Sequence, residues 1–507
     1  MVENKMNKNK IIYAVSFFSG FLSIAQEIIW MRLISFVGMS VPQTFSYTLA
    51  LFLIGIASGA HIGKKICQKN KNIKIDFLGQ IFIFAAIVDL LLLGGIYLFS
   101  QFLDLSILIL GICVFCCAVV RGIVFPVVHH VGTHAVKTGA QISNVYFCNV
   151  FGSALAPLLI SFIALSFLNS QQTYLLVCLI TCSIGIICIN LRKYQYLATV
   201  LLGFIIFLMF QPERIFHELS KNSYLPNLYP SEILENKHGI IQIYDDHDDQ
   251  IVFGANVYDG KFNTNIFHNT NGIDRAYLLT ALQPKAEHIL VIGLSTGSWA
   301  KVLSYLPHAK KITIIEINPA YISMIKKNPT VQDLLKDDRV EIIVDDGRKW
   351  LKKSEQKNFD IILINTTWHW RAYGSSLLSQ DFLKIIKNKL DDNGVFLYNT
   401  TQSIDAYETA NSIFPEVYKY KFMVLALFKP LDFKESKISK NLCQLKNHVN
   451  KQMVFKNNLE CDAAAKIIIQ QDLVNYNQLD LSKFTTRKPE IITDNNMIVE
   501  YKYGKGL

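Results

Sequence analysis

The sequence predicts a multi-span α-helical membrane domain followed by a doubly wound α/β domain. Three observations predict it. Hydrophobic residues make up 51% of the 507 positions and crowd into long runs before residue 210. Charge thins out over the same stretch, which holds 13 Lys/Arg and 5 Asp/Glu against 37 and 35 in the remainder. Beyond it, short β-branched strands alternate with helical patterns, the signature of a parallel sheet wrapped by helices. A mean hydropathy of +0.27 and 12% aromatics exclude a disordered, collagen-like or coiled-coil chain.

Seven apolar runs approach the roughly 20 residues that a spanning helix needs. They cover 11–36, 44–62, 77–100, 103–128, 144–168, 173–190 and 194–210. The first is too long for a cleavable signal peptide, and further spans follow it. Lys5, Lys8 and Lys10 precede the first run, five Lys (Lys64, Lys65, Lys69, Lys71, Lys74) follow the second, Lys137 follows the fourth, and Arg192 and Lys193 follow the sixth. The alternate loops carry no Lys or Arg, so the N-terminus is expected in the cytoplasm. The excess of basic residues therefore belongs to membrane loops, and no nucleic-acid partner is expected. The partner is the lipid bilayer, in a multi-pass protein of the cell membrane. Seven spans from a cytoplasmic N-terminus put the α/β domain outside the cytosol. The cytosolic origin of nucleoside donors argues the other way, for a cytoplasmic domain with 194–210 as the weakest span.

Inside the spans, Glu27, Arg32, Asp89 and Arg121 are costly charges that must face partners or a cavity. Gly55, Gly59 and Gly63 form a small-residue stripe that lets another helix approach. His129, His130 and His134 cluster without a matching acid or Cys, so no metal is expected. Eight of the ten Cys fall before residue 210, and neither a disulfide framework nor a zinc spacing is readable.

Four parts follow from the changes in pattern: a helical membrane domain (1–210), a small β-sheet domain (211–280), a nucleoside-binding α/β domain (281–430) and a C-terminal extension (431–507). Runs 240–244 and 251–258 read as strands of the small sheet. Runs 289–292, 311–315, 340–344, 361–364 and 395–398 read as buried parallel strands.

The chemistry sits at the ends of those strands. Ile289 to Trp299 reads strand, glycine turn, helix. Gly293 allows the sharp exit, Ser295 lies in the turn, and Gly297 lets a ligand approach backbone N–H groups. A plain β–α turn has the same pattern. Glu316, 23 residues after Gly293, ends the next strand, where an acid can bind both ribose hydroxyls. The third strand ends in Asp345-Asp346-Gly347, placed to accept from an adenine amino group. The fourth ends at Asn365. Loop carboxylates that merely cap helices are the alternative.

With these residues in view, the block from 239 to 420 resembles the spermidine/spermine synthase (polyamine aminopropyltransferase) family. Tyr258-Asp259-Gly260 is similar to its Leu-Asp-Gly turn, and Gly293 to Gly297 to its glycine motif. Ile315-Glu316-Ile317-Asn318 is similar to its Val-Glu-Ile-Asp, and Asp345-Asp346-Gly347 to its Gly-Asp-Gly. The whole chain resembles the membrane-fused subgroup, in the segments 20–32, 149–157 and 365–379. The resemblance implies a Rossmann-like, methyltransferase-type fold with a small N-terminal β-sheet, and a homodimer is a candidate assembly. It implies transfer of an aminopropyl-type group from decarboxylated S-adenosylmethionine, or a related S-adenosylmethionine donor, without a metal.

Two departures bear on the acceptor. The family's Asp-Ser-x-Asp-Pro loop reads Asn365-Thr366-Thr367-Trp368 here, and Asn cannot act as a base. Its Tyr-His-Glu is missing, with Arg275-Ala276-Tyr277 nearby instead. The candidate replacements are His369, for proton transfer, and Arg371, for an anionic acceptor. Packing between Trp368 and Trp370 is the alternative for His369. The acceptor is expected to be something other than free putrescine. An S-adenosylmethionine-dependent methyltransferase and a non-catalytic nucleoside- or polyamine-binding transporter or sensor stand as the alternative functions.

Overall fold

The computed structural model describes residues 2–70, 72–99, 106–133, 139–190, 192–220, 228–247, 249–365, 368–471 and 473–507. Lys71, His134, Lys137, Thr366 and Thr367 lie outside the described residues. The chain divides into two compact units, 1–240 and 241–507.

The first unit is helical: α1 (Val2–Val37), α2 (Gln43–Lys69), α3 (Ile75–Phe99), α4 (Ser106–Thr133) and α5 (Gly139–Pro157). From Pro157 the chain runs on through a π-helical turn, Leu158–Ala164, into α6 (Leu165–Phe167). Then come α7 (Ser170–Cys188), α8 (Arg192–Met209), α9 (Ile215–Leu219) and the strand β1 (Glu232–Asn236). Among the described residues, seven helices are long and apolar enough to cross a membrane, from Lys10–Val37 to Arg192–Met209. They are the seven runs read in the sequence.

The small-residue stripe works as its spacing implies. A Cβ on Gly59 would stand 2.0 Å from the carbonyl oxygen of Val119, so only glycine lets α2 close on α4. Three of the four charges read in the spans find partners. Arg121 meets Asp89 at 2.5 Å, and Arg32 pairs with Glu235 at 3.3 Å while donating to the Ser170 hydroxyl at 3.0 Å. His129 packs edge-on against Phe125, ring centroids 4.5 Å apart.

The second unit begins within β2 (Gly239–Asp246), which pairs antiparallel with β3 (Asp249–Gly254), and that strand with β4 (Val257–Lys261). After α10 (Asp274–Leu282) the α/β pattern runs β5 (His288–Ile292), α11 (Ser298–Leu303), β6 (Lys311–Glu316), α12 (Ala320–Lys327), β7 (Val340–Val344), α13 (Gly347–Lys353) and β8 (Phe359–Ile364). It continues through α14 (Gln380–Lys387), β9 (Leu390–Asn399), α15 (Ile404–Asn411), β10 (Glu416–Tyr420) and β11 (Met423–Leu427). The tail adds α16 (Glu435–Leu442), α17 (Asn458–Ile469) and β12 (Leu473–Asn475). The eight strands run β12-β10-β11-β9-β8-β5-β6-β7. Strands β9, β8, β5, β6 and β7 are parallel, and β11, β10 and β12 extend the edge antiparallel. Strand order reverses between β5 and β8, and ligands bind outside the carboxyl ends at such a switch point.

One feature of the tail was not readable in the sequence. Cys443 and Cys461 form a disulfide, their Cα atoms 5.5 Å apart, joining the end of α16 to α17. Cysteine spacing conceals it, because two short helices must fold back on each other to bring the pair together. The eight remaining Cys are free.

Candidate functional site

A cavity of about 240 Å³ opens at the switch point. Gly293 at the exit of β5 and Asn365 at the exit of β8 form its floor, with Ser295 beside them. Gly293 has φ +88°, and a Cβ there would lie 2.7 Å from the Asn365 carbonyl oxygen. Glycine is thus required for the two strand ends to approach, and the close approach is to protein backbone. Gly297 (φ +75°) serves packing as well: its missing Cβ faces Ile325 of α12, outside the cavity lining. The helix it opens, α11, is only six residues long.

Hydroxyls of the glycine loop are spent on β4. Ser295 donates to the Asp259 carbonyl at 2.9 Å, and Thr296 and Ser298 both donate to the Lys261 carbonyl at 3.0 Å. These bonds draw the small sheet against the loop and put Tyr258 and Asp259 on the cavity wall. Asp259 Oδ2 is buried with no hydrogen-bond partner among the described residues. Burial raises its carboxyl above the ordinary range, while Tyr321, Arg371 and Ser295 offset part of that.

The opposite sign comes from α10. Arg275 lines the cavity, with its guanidinium carbon 5.6 Å from the Trp299 ring centroid and 5.9 Å from that of Phe422. Its Nε is buried and without a hydrogen-bond partner among the described residues. Asp274, its sequence neighbour, turns Oδ2 to the Tyr420 hydroxyl (3.0 Å) and Lys421 (2.8 Å).

Glu316 ends β6 as the spacing requires, but its carboxylate is turned onto backbone. It accepts from Leu294 N–H at 2.7 Å and from Asn318 N–H at 2.8 Å. Burial pushes its carboxyl up to about 7 against the pull of those N–H groups. It braces the glycine loop from behind. Asp346 caps α13, accepting from Lys349 N–H at 2.7 Å, and Asp345 pairs with the Lys349 ammonium at 2.9 Å. Neither is part of the cavity lining, and Gly347 packs on Ile292.

In the loop after β8, Trp368 lines the cavity and Trp370 lies beside it, centroids 5.9 Å apart, under the Lys505 ammonium. His369 is held by Thr401, whose hydroxyl meets both its N–H (2.9 Å) and its Nδ1 (2.7 Å). Burial pushes its imidazole down to about 4, so the ring is neutral at physiological pH. Arg371 stands close enough to Asp259 and Tyr321 to act on the charge of both. Tyr373 is 80% exposed and contributes no wall.

Thus Gly293, Ser295 and Asn365 come together in one cavity. Gly297, Glu316, Asp345, Asp346, Gly347, His369 and Arg371 stand around it without lining it. Asp259 and Arg275 join it from β4 and α10. The sequence carried a signal for both, in the Tyr258-Asp259-Gly260 turn and the Arg that stands near the missing Tyr-His-Glu. Elsewhere, Asp337, Asp338 and His448 bring ligand atoms within 4.8 Å of one another, but Asp337 is already clamped by Arg339 at 2.7 Å.

Residues 277–428 match the family model for the spermine/spermidine synthase domain. A polyamine aminopropyltransferase of Thermococcus onnurineus is 27% identical over 158 residues, 30% of this chain and 55% of that protein. This chain therefore spans about half the length of that relative. Another, from Oceanobacillus iheyensis, is 20% identical over 426 residues and 80% of both chains. A solved spermidine synthase of Thermotoga maritima is 18% identical, with a TM-score of 0.34 over 46% of this chain and 83% of that one. The similarity to the spermine/spermidine synthase domain thus falls at residues 277–428, C-terminal to the seven long apolar helices found among the described residues.

Proposed function

We propose that the second unit is a group transferase that moves an aminopropyl-type group from a nucleoside sulfonium donor of the S-adenosylmethionine type to an amine. The observation that carries this reading is the cavity at the switch point, bounded by the glycine loop and holding a buried carboxylate with an unpaired oxygen. The name that the relatives carry, polyamine aminopropyltransferase, points the same way.

In such a transfer the amine lone pair attacks the carbon next to the sulfonium. The carbon–sulfur bond breaks, its electrons neutralise the sulfur, and methylthioadenosine leaves. The amine must also lose a proton. Asn365 cannot take it, and His369 is a weak base whose Nδ1 is occupied by Thr401. Asp259 is the carboxylate on the cavity wall, and we assign it the proton. Burial raises its carboxyl, which favours taking up the proton, and Tyr321 and Arg371 offset part of that rise. The acceptor is then an amine other than free putrescine, since the loop that would neutralise a second cationic end offers Asn365 and Trp368. Supplying the purified protein with donor and a mixture of amines, and measuring methylthioadenosine by mass spectrometry, tests the class. A methylated product, or no turnover with any amine, refutes it.

We infer further that this unit faces the extracytoplasmic side. The seven spans are present as helices, the basic loops alternate with loops free of Lys and Arg, and the two Cys beyond residue 210 are paired with each other. Disulfides persist in oxidising compartments and are rare in the cytosol. This reading departs from the cytoplasmic side that the origin of the donor favours, and a cytosolic donor then reaches the cavity only after crossing the bilayer. Maleimide labelling of Cys443 and Cys461 in intact cells, with and without a reductant, checks it. Modification without reduction, in denatured extracts trapped rapidly in acid, puts the unit in the cytosol.

A further inference from the structure

A diamine donor or acceptor would meet carboxylates in its pocket. This cavity presents a guanidinium beside the Asp259 carboxylate, and Arg275 is the one Lys or Arg among its described lining residues. The local sequence explains how it is held there. Arg275 sits in the first turn of α10, whose following residues Ala276, Tyr277, Leu278 and Leu279 are all buried, so the helix cannot rotate the side chain away. Gly272, two residues before the helix, packs against the guanidinium carbon: a Cβ there would lie 3.2 Å from it. Trp299 and Phe422 flank the cation, and aromatic faces at this range attract a guanidinium without quenching its hydrogen-bond donors. The nearest acid in sequence, Asp274, has one oxygen committed to Tyr420 and Lys421. A buried guanidinium nitrogen left without an acceptor keeps its desolvation cost uncompensated, and a ligand oxygen placed against it would remove that cost.

We propose that Arg275 is the counter-ion for a ligand carboxylate, so that the cavity takes an amino-acid-like group where a plain diamine site would take a bare aminopropyl chain. A single guanidinium matches a monoanionic carboxylate in bidentate geometry. The carboxylate has two sources. It belongs to the methionine portion of an intact S-adenosylmethionine donor, or to an amino-acid acceptor whose amine faces Asp259. The proposal rests on the reading of the cavity as a nucleoside donor site, and the test separates the two.

Calorimetry on the purified full-length protein uses four probes. Methylthioadenosine, which has no carboxylate, tests the nucleoside site alone; if it does not bind, the donor-site reading fails first. S-adenosylmethionine and its decarboxylated form differ by the carboxylate itself. A donor carboxylate on Arg275 gives at least tenfold tighter binding of the intact form to the unaltered protein. Arg275→Gln then abolishes that preference and leaves methylthioadenosine within twofold, while Arg275→Lys retains part of it. For an acceptor carboxylate, glutamate titrated into the methylthioadenosine complex binds, and Arg275→Gln removes that binding. The comparison of the two donors, and the glutamate titration, need no variant, so a variant that fails to fold does not block the test. Provided that methylthioadenosine binds, equal or weaker binding of the intact donor than of its decarboxylated form, together with no glutamate binding to the methylthioadenosine complex, overturns the proposal. So does an Arg275→Gln protein that keeps either preference.

Discussion

The two units each bury a carboxylate and a guanidinium, and they treat them in opposite ways. Among the membrane helices, Asp89 and Arg121 close on each other at 2.5 Å, Cys117 adds a contact to Asp89 at 3.4 Å, and the Tyr174 hydroxyl donates to the Asp89 carbonyl at 2.7 Å. In the second unit, Asp259 and Arg275 line one cavity without an ion pair to each other among the described residues, and each keeps a buried polar atom with no hydrogen-bond partner there, as Arg121 does at Nε. A charge buried at depth is expensive in both settings, and pairing is the ordinary remedy. The contrast teaches that a buried acid and base mark a site when they face a cavity, and that they are structural when they face each other. Asp89 and Arg121 are an attractive pair in the sequence, yet the fold uses them on one another.

The largest expected effect breaks the open side of this comparison. Asp259→Asn removes the proposed proton acceptor and is expected to lower the rate of methylthioadenosine formation by about 10²–10⁴-fold, the usual contribution of a positioned base. Affinity for methylthioadenosine should stay within a few fold, since Asn preserves the shape of the wall. A variant that retains full turnover removes Asp259 from the mechanism. Next in size is the closed side. Arg121→Met strands Asp89 and is expected to cost about 3–5 kcal/mol in detergent-solubilised protein, whereas Asp89→Leu combined with Arg121→Met should recover most of it. Additive losses in the double variant would show that the pair does not act as a unit.

How much of this was legible in the sequence follows from how local each signal is. The seven spans and the parallel strands are written in consecutive residues, and the Gly55, Gly59 and Gly63 stripe shows at helical spacing; all are present. Gly293, Ser295 and Asn365 were legible because strand ends meet at a switch point whatever the loops do. The orientation of neighbouring carboxylates was not. Asp346 and Glu316 stand at the right strand ends, but whether a carboxylate aims at a ligand or at a backbone N–H depends on rotation about bonds that spacing does not report. Asp259 and Arg275 escaped as cavity partners because they arrive from β4 and α10, on separate elements, and only packing brings them to one wall. The disulfide was hidden for the same reason.

The smallest expected effect concerns pH, and it distinguishes a bracing residue from one in contact with ligand. Glu316 titrates at about 7 in the fold against an ordinary 4.5. Between those values the folded chain binds the proton that the unfolded chain has lost, so stability must fall as pH rises through the interval. The shift corresponds to about 3 kcal/mol. His369 does the reverse. Its imidazole titrates at about 4 in the fold against 6.5, so the unfolded chain binds more protons between those values and stability rises with pH there. From pH 4.5 to 6.5 the two contributions oppose, and thermal unfolding of the second unit within the full chain should change little on their account. His369→Gln should unmask Glu316, giving a melting temperature that drops from pH 4.5 towards 7. Glu316→Gln should unmask His369, giving one that climbs over pH 4.5–6.5. Saturating methylthioadenosine sharpens the comparison: a Glu316 that only braces the glycine loop keeps its slope in the complex, whereas one that binds the ribose as a carboxylate loses it. Identical pH profiles in the unaltered protein and both variants would show that neither group is held as its surroundings require.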